Sequence, residues 1–265
     1  MILQRLTTAI RAQNWFAVAL EFVIVVAGVV IGFQVTALAN AARERAEEAE
    51  TLSRLRAESE AVVNFWIADV GDAMENDRNR IALLRALRDG EVEPGYEEAV
   101  YDGIEGLYFY AAITPPRTVF DELLASGGLS RISDPGANAA VSEYADQLTF
   151  ITGQLDQFRS SSPDGLRMLD GRVFSEVDLS AYTLRRLDYD IASLSQDREF
   201  VSSVVDAVRN QRVFLFFRMG ALRRAYEMCE ALSAAQGETC ATAEDGREQL
   251  TAVRVYYDEM REASP

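Results

Sequence analysis

Any chemistry in this chain has to come from carboxylates, hydroxyls, arginines and two thiols, because its 265 residues include no His and no Lys. Without His there is no Ser-His-Asp or Cys-His relay and no usual catalytic zinc site. Without Lys there is no Schiff base and no Walker-type phosphate loop. The local acid pairs are Asp188 with Asp190, Asp69 with Asp72, and Glu91 with Glu93. Neighbouring carboxylates can share a proton or hold a hard cation such as calcium. None of these pairs has calcium-loop spacing, and a carboxylate di-iron site calls for Glu-x-x-His. Each pair therefore reads as a solvated face or as the partner of an arginine, and Asp69 and Asp72, three apart, are expected on one exposed side of a helix. Arg198, Arg209, Arg212, Arg218, Arg223 and Arg224 could hold an anionic ligand, but pairing with the many acids of the same chain is the expectation. No catalytic, cofactor-binding or metal-binding residue is assigned, and the chain reads as a non-enzyme.

One aromatic cluster stands out. Tyr101, Tyr108, Phe109 and Tyr110 precede Thr114-Pro115-Pro116-Arg117. Tyr108, Phe109, Tyr110 and Arg117 are candidates for an interface or a pocket, with ordinary core packing as the default.

The elements that would position these groups begin with an apolar run. Residues Phe16 to Ala39 are apolar for 24 residues with a single charge, Glu21. As a helix the run is roughly 36 Å long, enough to span a bilayer. Ala37-x-Ala39 has the form of a signal-peptide cleavage site, but the run is longer than a usual signal core and carries an acid, so an uncleaved anchor is the preferred reading. At helical pitch, Val25, Gly28, Gly32 and Val35 all fall within about 40° of Glu21. This stripe holds a Gly28-x-x-x-Gly32 pair, whose small residues let two helices approach closely. An ionisable group inside a span usually faces protein or water rather than lipid. The stripe Glu21, Val25, Gly28, Gly32 and Val35 is thus read as a docking face for another membrane helix, a second copy or a different partner; snorkelling of Glu21 is the plainer alternative.

Arg5, Arg11 and Glu21 give the first 42 residues a charge of +1, so of the total of −16 the remainder carries −17. A domain that acidic disfavours nucleic acid, which needs a basic surface. The short basic tip, residues 1–14, suits the cytoplasmic side, although Arg43, Arg45, Arg54 and Arg56 beyond the span mean that counting arginines does not decide orientation. Cys229 and Cys240 lean the same way. A helical pattern ends near Leu232, Gln236-Gly237 reads as a stop, and Thr242-x-x-Asp245 resembles a new helix start. A bridge there would close a helix hairpin, contribute about 2–3 kcal/mol, and form in the periplasm rather than the cytosol. Two buried free thiols are the alternative.

Beyond Ala39 the pattern is helical almost throughout. Leu52, Leu55, Val62, Trp66, Ala73, Ile81 and Leu84 mark a charged amphipathic helix running from the span to about Arg88, stopped by Asp89-Gly90. Further helices are expected at about Glu97–Ala112, at Thr118–Ser126 before Gly127-Gly128, and from Asp134-Pro135, with Asp as cap and Pro in the first turn. The last of these has the stripe Val141, Tyr144, Leu148, Ile151, Leu155 and Phe158. Ser162-Pro163 is expected to open an irregular region, followed by helices at about Gln196–Ala234 and Ala243–Glu262, the latter with Leu250, Val253, Tyr257 and Met260 inward. No alternating strand pattern persists. The fold class is all-α: an N-terminal transmembrane helix (15–39) continuing into an antiparallel helical bundle within an acidic domain (40–265), whose first part (40–90) is one long membrane-proximal helix.

Two pieces carry a resemblance. The first is Trp15-Phe16-Ala17-Val18 with Glu21-Phe22-Val23-Ile24-Val25-Val26-x-Gly28-Val29-x-Ile31-Gly32-x-Gln34-Val35, then Ala42-Arg43. The second is Thr118-x-Phe120-x-x-Leu123-x-x-Ser126-Gly127-Gly128-Leu129-x-x-Ile132, then Ala140-x-x-x-Tyr144. Together they resemble a bacterial family of single-span membrane proteins with a Glu/Gly/Gln-containing anchor and a helical domain bearing an SGGL-type motif. The family often has Trp-Asn just after the Gln, where this chain has Leu38-Ala39-Asn40. The resemblance implies an anchored helical domain and no reaction. The expected function is that of an accessory, structural or assembly subunit of an inner-membrane complex, with the N-terminus cytoplasmic, the domain periplasmic, no cofactor, and lipid plus a membrane-protein partner or a second copy as contacts. The alternative is a periplasmic ligand-sensing bundle that signals through a membrane partner.

Overall fold

The computed structural model describes residues 15–167, 169–181 and 185–262, without the side chains of 15, 17, 161–166 and 260–262. The tip with Arg5 and Arg11, and the Met260 side chain, lie outside the described residues. Among the described residues there are seven α-helices and one two-stranded hairpin, so the fold is all-α. Contacts divide the chain into two units, Met1–Thr51 and Leu52–Pro265.

Helix α1 runs Trp15–Asp89. It is rich in Ala, Leu, Glu and Arg and contains no Pro, which suits a long uninterrupted helix, and it stops at Asp89-Gly90 as expected. Within the first unit its residues are exposed almost without exception.

The second unit has its own core. Helix α2 is Glu97–Glu105, α3 Thr118–Ala125 and α4 Pro135–Arg167, followed by strands β1 Phe174–Val177 and β2 Arg185–Asp188. Then come α5 Ile191–Gln196, α6 Arg198–Ala234 and α7 Ala243–Glu262. Helix α4 starts where Asp134 Oδ1 accepts the Ala137 N–H at 2.7 Å. Helix α6 starts where Asp197 Oδ1 accepts the N–H groups of Glu199 and Phe200 at 3.0 Å each, satisfying donors that a helix start leaves free.

Side-chain pairs fix the helix directions. Glu143 meets Arg224, Phe150 meets Phe217, and Phe158 meets Phe214, so α4 and α6 are antiparallel. Asp69 with Arg218 and Asp77 with Arg212 make α1 antiparallel to α6 as well. Glu230 with Arg247 and a Tyr257 ring under Arg212 do the same for α7. One helix, α6, therefore runs against three that share a direction, and residues 90–134 are the crossover that lets α4 run the same way as α1. Two apolar clusters result. The larger joins Trp66, Tyr144, Ile151, Phe214, Leu222 and Val253; the smaller joins Leu83, Leu87, Ile104, Leu107, Phe200 and Val204.

Four expectations are corrected. The helix expected over Glu97–Ala112 ends at Glu105. Residues 109–117 carry no helix; side chains of Gln211 and Arg159 take the Phe109 and Tyr110 carbonyls, and Pro115 and Pro116 offer no N–H to a ladder. The region expected to turn irregular at Ser162-Pro163 stays helical to Arg167; Pro163 removes a single N–H from the ladder. The hairpin was not expected. It pairs Phe174 with Asp188 through Val177 with Arg185, and β1 is exposed along its whole length, so no buried face writes an alternation into the sequence. Asp69 does not share an exposed side with Asp72: Asp72 is exposed, whereas Asp69 is largely buried against Arg218.

Candidate membrane and partner interface

In the first unit the stretch from Val18 onward is long and apolar enough to cross a membrane, with a mean hydropathy of 2.4 in its most apolar window and none of that window buried. Phe22, Val25, Val29, Ile31, Phe33 and Leu38 all stand exposed. A contiguous exposed apolar surface of this extent marks a membrane-contacting or protein-contacting surface. Glu21, Val25, Gly28, Gly32 and Val35 are exposed too, and a Cβ added at Gly28 or Gly32 would meet nothing within 4 Å. The Thr36 hydroxyl donates to the Gly32 carbonyl at 2.9 Å, so that polar side chain is satisfied within its own helix.

In the second unit the aromatic candidates separate. Tyr108 packs beside the smaller cluster with its hydroxyl 2.6 Å from Ser203 Oγ, and partial burial pushes its pKa up. Tyr110 is buried in the larger cluster, stacked on Phe158 and edge-on to Phe214. Phe109 points outward, 69 % exposed. Arg117 is bound to Asp121 one turn on, at 2.8–2.9 Å. Cavities among the described residues include one of about 270 Å³, walled by Arg85, Glu91, Glu93 and Tyr96, and one of about 440 Å³, walled by Arg172, Asp188, Tyr189 and Asp190. None of Tyr108, Phe109, Tyr110 or Arg117 lines either.

Side chains of the long helices hold the crossover in place along this stretch. Arg80 donates to the Gly106 carbonyl at 3.0 Å, and Gln211 donates to the carbonyls of Leu107 and Phe109 at 3.2 and 3.1 Å. Arg159 donates twice to Tyr110 O, at 3.1 and 2.9 Å. At the far end both Glu58 oxygens accept, from Val119 N and Phe120 N at 2.9 Å each, so α1 caps the start of α3. A backbone with no ladder of its own needs such partners when it lies against a core. The SGGL-type motif closes the next turn. Gly127 has φ +65, and a Cβ at Gly128 would lie 2.6 Å from Leu123 Cδ1. Asn138 then ties Leu129 O at 2.6 Å.

The buried charges are structural as well. Asp77, its side chain 2 % exposed, accepts the single Arg212 Nε–H, shared between its two oxygens (3.0 and 3.2 Å), a bond from Arg212 Nη2 (3.1 Å) and one from Tyr256 OH (2.9 Å). Burial lowers the Arg80 pKa to about 10 despite Asp77 nearby, and burial lifts Tyr257 to about 12. Asp69 and Arg218 approach to 3.1 Å without the alignment of a hydrogen bond; burial raises the Asp69 pKa against the pull of Arg218, and lowers that of Arg218. Of the six late-helix arginines, Arg212, Arg218, Arg223 and Arg224 are paired with carboxylates, as the sequence led us to expect. Among the described residues no three His, Cys, Asp or Glu side chains converge on a metal position. Cys229 and Cys240 form a disulfide with Cα atoms 5.6 Å apart, joining the end of α6 to the turn before α7. Comparison with protein-family models, with curated proteins and with solved structures finds no match to this chain.

Proposed function

We propose that this chain is a non-enzymatic, single-span inner-membrane protein that acts as an accessory, structural or assembly subunit of a membrane complex. Its anchor spans the bilayer and docks through the Glu21–Gly28–Gly32 face on another membrane helix, with residues 1–14 cytoplasmic and the helical domain periplasmic. The observation that carries this reading is the contrast between the units: the second buries its apolar side chains and pairs its buried acids, whereas the first leaves an apolar helix wholly uncovered. The disulfide supports periplasmic placement, since such bonds persist in oxidising compartments. The resemblance to single-span membrane proteins points the same way. The ligand-sensing alternative places a pocket near Tyr108 to Arg117, where Tyr108 and Tyr110 pack against different apolar clusters and Phe109 is exposed. Purification of the full chain in mild detergent, with identification of what co-purifies, tests the reading. A stoichiometric membrane-protein partner or a second copy is expected; a lone monomer would refute the docking role.

A further inference from the structure

The docking face does not stop at the membrane. Glu21, Val25, Gly28, Gly32 and Val35 are separated by four, three, four and three residues, and α1 continues helically through the polar stretch that follows. There the same alternation picks out Ala39, Ala42, Ala46 and Ala49, all exposed. Nine positions thus follow one repeat of three and a half residues, the signature of a left-handed coiled-coil seam. Lipid accounts for small and apolar residues up to Ala39, but not beyond it. In the water-compatible part, residues 40–51, the seam is alanine, and every charge (Arg43, Glu44, Arg45, Glu47, Glu48 and Glu50) lies off it, beside Asn40, Ala41 and Thr51. A helix with no partner has no reason to keep its charges off one narrow stripe. The seam ends where α1 enters its own core, at Leu52 and Leu55.

We propose that the occupant of this face is a second copy of the chain, paired in parallel along α1 from Glu21 to Ala49. The proposal rests on the docking reading above and commits it to one partner. Two copies of a single-span protein share one orientation in the bilayer, so their seams run parallel and a two-fold axis makes the contact isologous. In a parallel pair with Val25, Gly32, Ala39 and Ala46 at the a positions, Arg45 occupies a g position and Glu50 the e position that it faces on the other helix. The charges are opposite, and symmetry makes the pair twice. The preceding g–e pair, Leu38 with Arg43, sets no like charges against each other. Glycine and alanine in the seam bring the axes to the close end of the usual range, about 8 Å. The two Glu21 side chains then meet at one depth across the seam.

The test uses the full chain in native membranes, its own cysteines already joined. Single substitutions Ala42→Cys, Ala46→Cys and Ala49→Cys are compared with Ala41→Cys, Glu44→Cys and Glu47→Cys after mild oxidation, on non-reducing gels. The seam positions are expected to give an adduct of twice the chain mass and the other three little. Adding Arg45→Glu to Ala46→Cys should cut the adduct by about fivefold, and Glu50→Arg in the same chain should restore it. Equal yields on all faces, or no restoration by the charge swap, would overturn the proposal. Adducts of the seam positions with a different polypeptide would overturn the second copy while leaving the docking role intact. Absence of the chain from the membrane pellet is a separate result, one that refutes the anchor itself.

Discussion

Asp77→Ala should destabilise the second unit more than any surface change, and the structure sets the scale. The carboxylate is almost fully buried and receives hydrogen bonds from Arg212 and Tyr256. Its loss leaves Arg212 without its counter-charge, removes the acceptor of the Tyr256 hydroxyl, and withdraws the charge that opposes burial of Arg80. Breaking one side of a buried pair costs about 3–5 kcal/mol, because the remaining charge stays desolvated. For a unit of this size each kcal/mol moves the midpoint by about 2–4 °C, so Tm should fall by about 10 °C. The assay is a thermal melt of the full chain in mild detergent, followed by helical circular dichroism. Asp77→Asn keeps acceptor geometry but not charge and should fall between. The double change Asp77→Leu with Arg212→Met should recover most of the loss, since apolar replacement of a whole buried pair is close to neutral. A Tm for Asp77→Ala within about 2 °C of the parent would refute the claim that this cluster clamps α1, α6 and α7 together.

Other consequences follow from the same geometry. Replacing Cys229 and Cys240 with Ala should cost about 3 kcal/mol, from a bridge closing 11 residues of sequence, and in cells a thiol-reactive tag should label the parent chain only after reduction; labelling without reduction would contradict the oxidised state. Gly103→Ala should destabilise by about 1–3 kcal/mol, because its Cβ would lie 2.6 Å from Asn79 O and push α2 off α1; an unchanged melt would contradict that packing. Asp197 has its pKa lowered by its hydrogen bonds to Arg172 and then to the α6 N-terminus. Its contribution is present above the unfolded carboxylate pKa and disappears as pH falls through the lower folded value. Stability curves of the parent and of Asp197→Asn, measured by denaturant titration against pH, should therefore differ near neutrality and converge in strong acid; parallel curves would sink this.

Features resting on local chemistry are legible in the sequence. Asp134-Pro135 opens α4, Asp89-Gly90 closes α1, and Val141, Tyr144, Leu148, Ile151 and Leu155 are buried at the expected spacing. Features decided by distant partners are not. Tyr108-Phe109-Tyr110 reads as helix because nothing local says that Gln211 and Arg159, 49 or more residues away, will claim its carbonyls. Asp69 and Asp77 look like any solvated acids until α6 brings Arg218 and Arg212 against them. Ile81 and Leu84 are only half-buried, because the α1 face turns toward Leu83 and Leu87 to meet the smaller cluster. The anchor stripe was visible at once, but its continuation through Ala39 to Ala49 emerges only when α1 is seen to remain helical and uncovered to Thr51.

On the proposed reading the anchor is a binding surface and not only a tether. The full chain carrying Gly28→Leu with Gly32→Leu tests it most directly, by complex mass after extraction from membranes in mild detergent. Leucine is as compatible with lipid as glycine but keeps the helices from closing. The variant is expected to stay in the membrane pellet and melt like the parent, yet elute at the mass of a single chain. A complex of undiminished mass would contradict it.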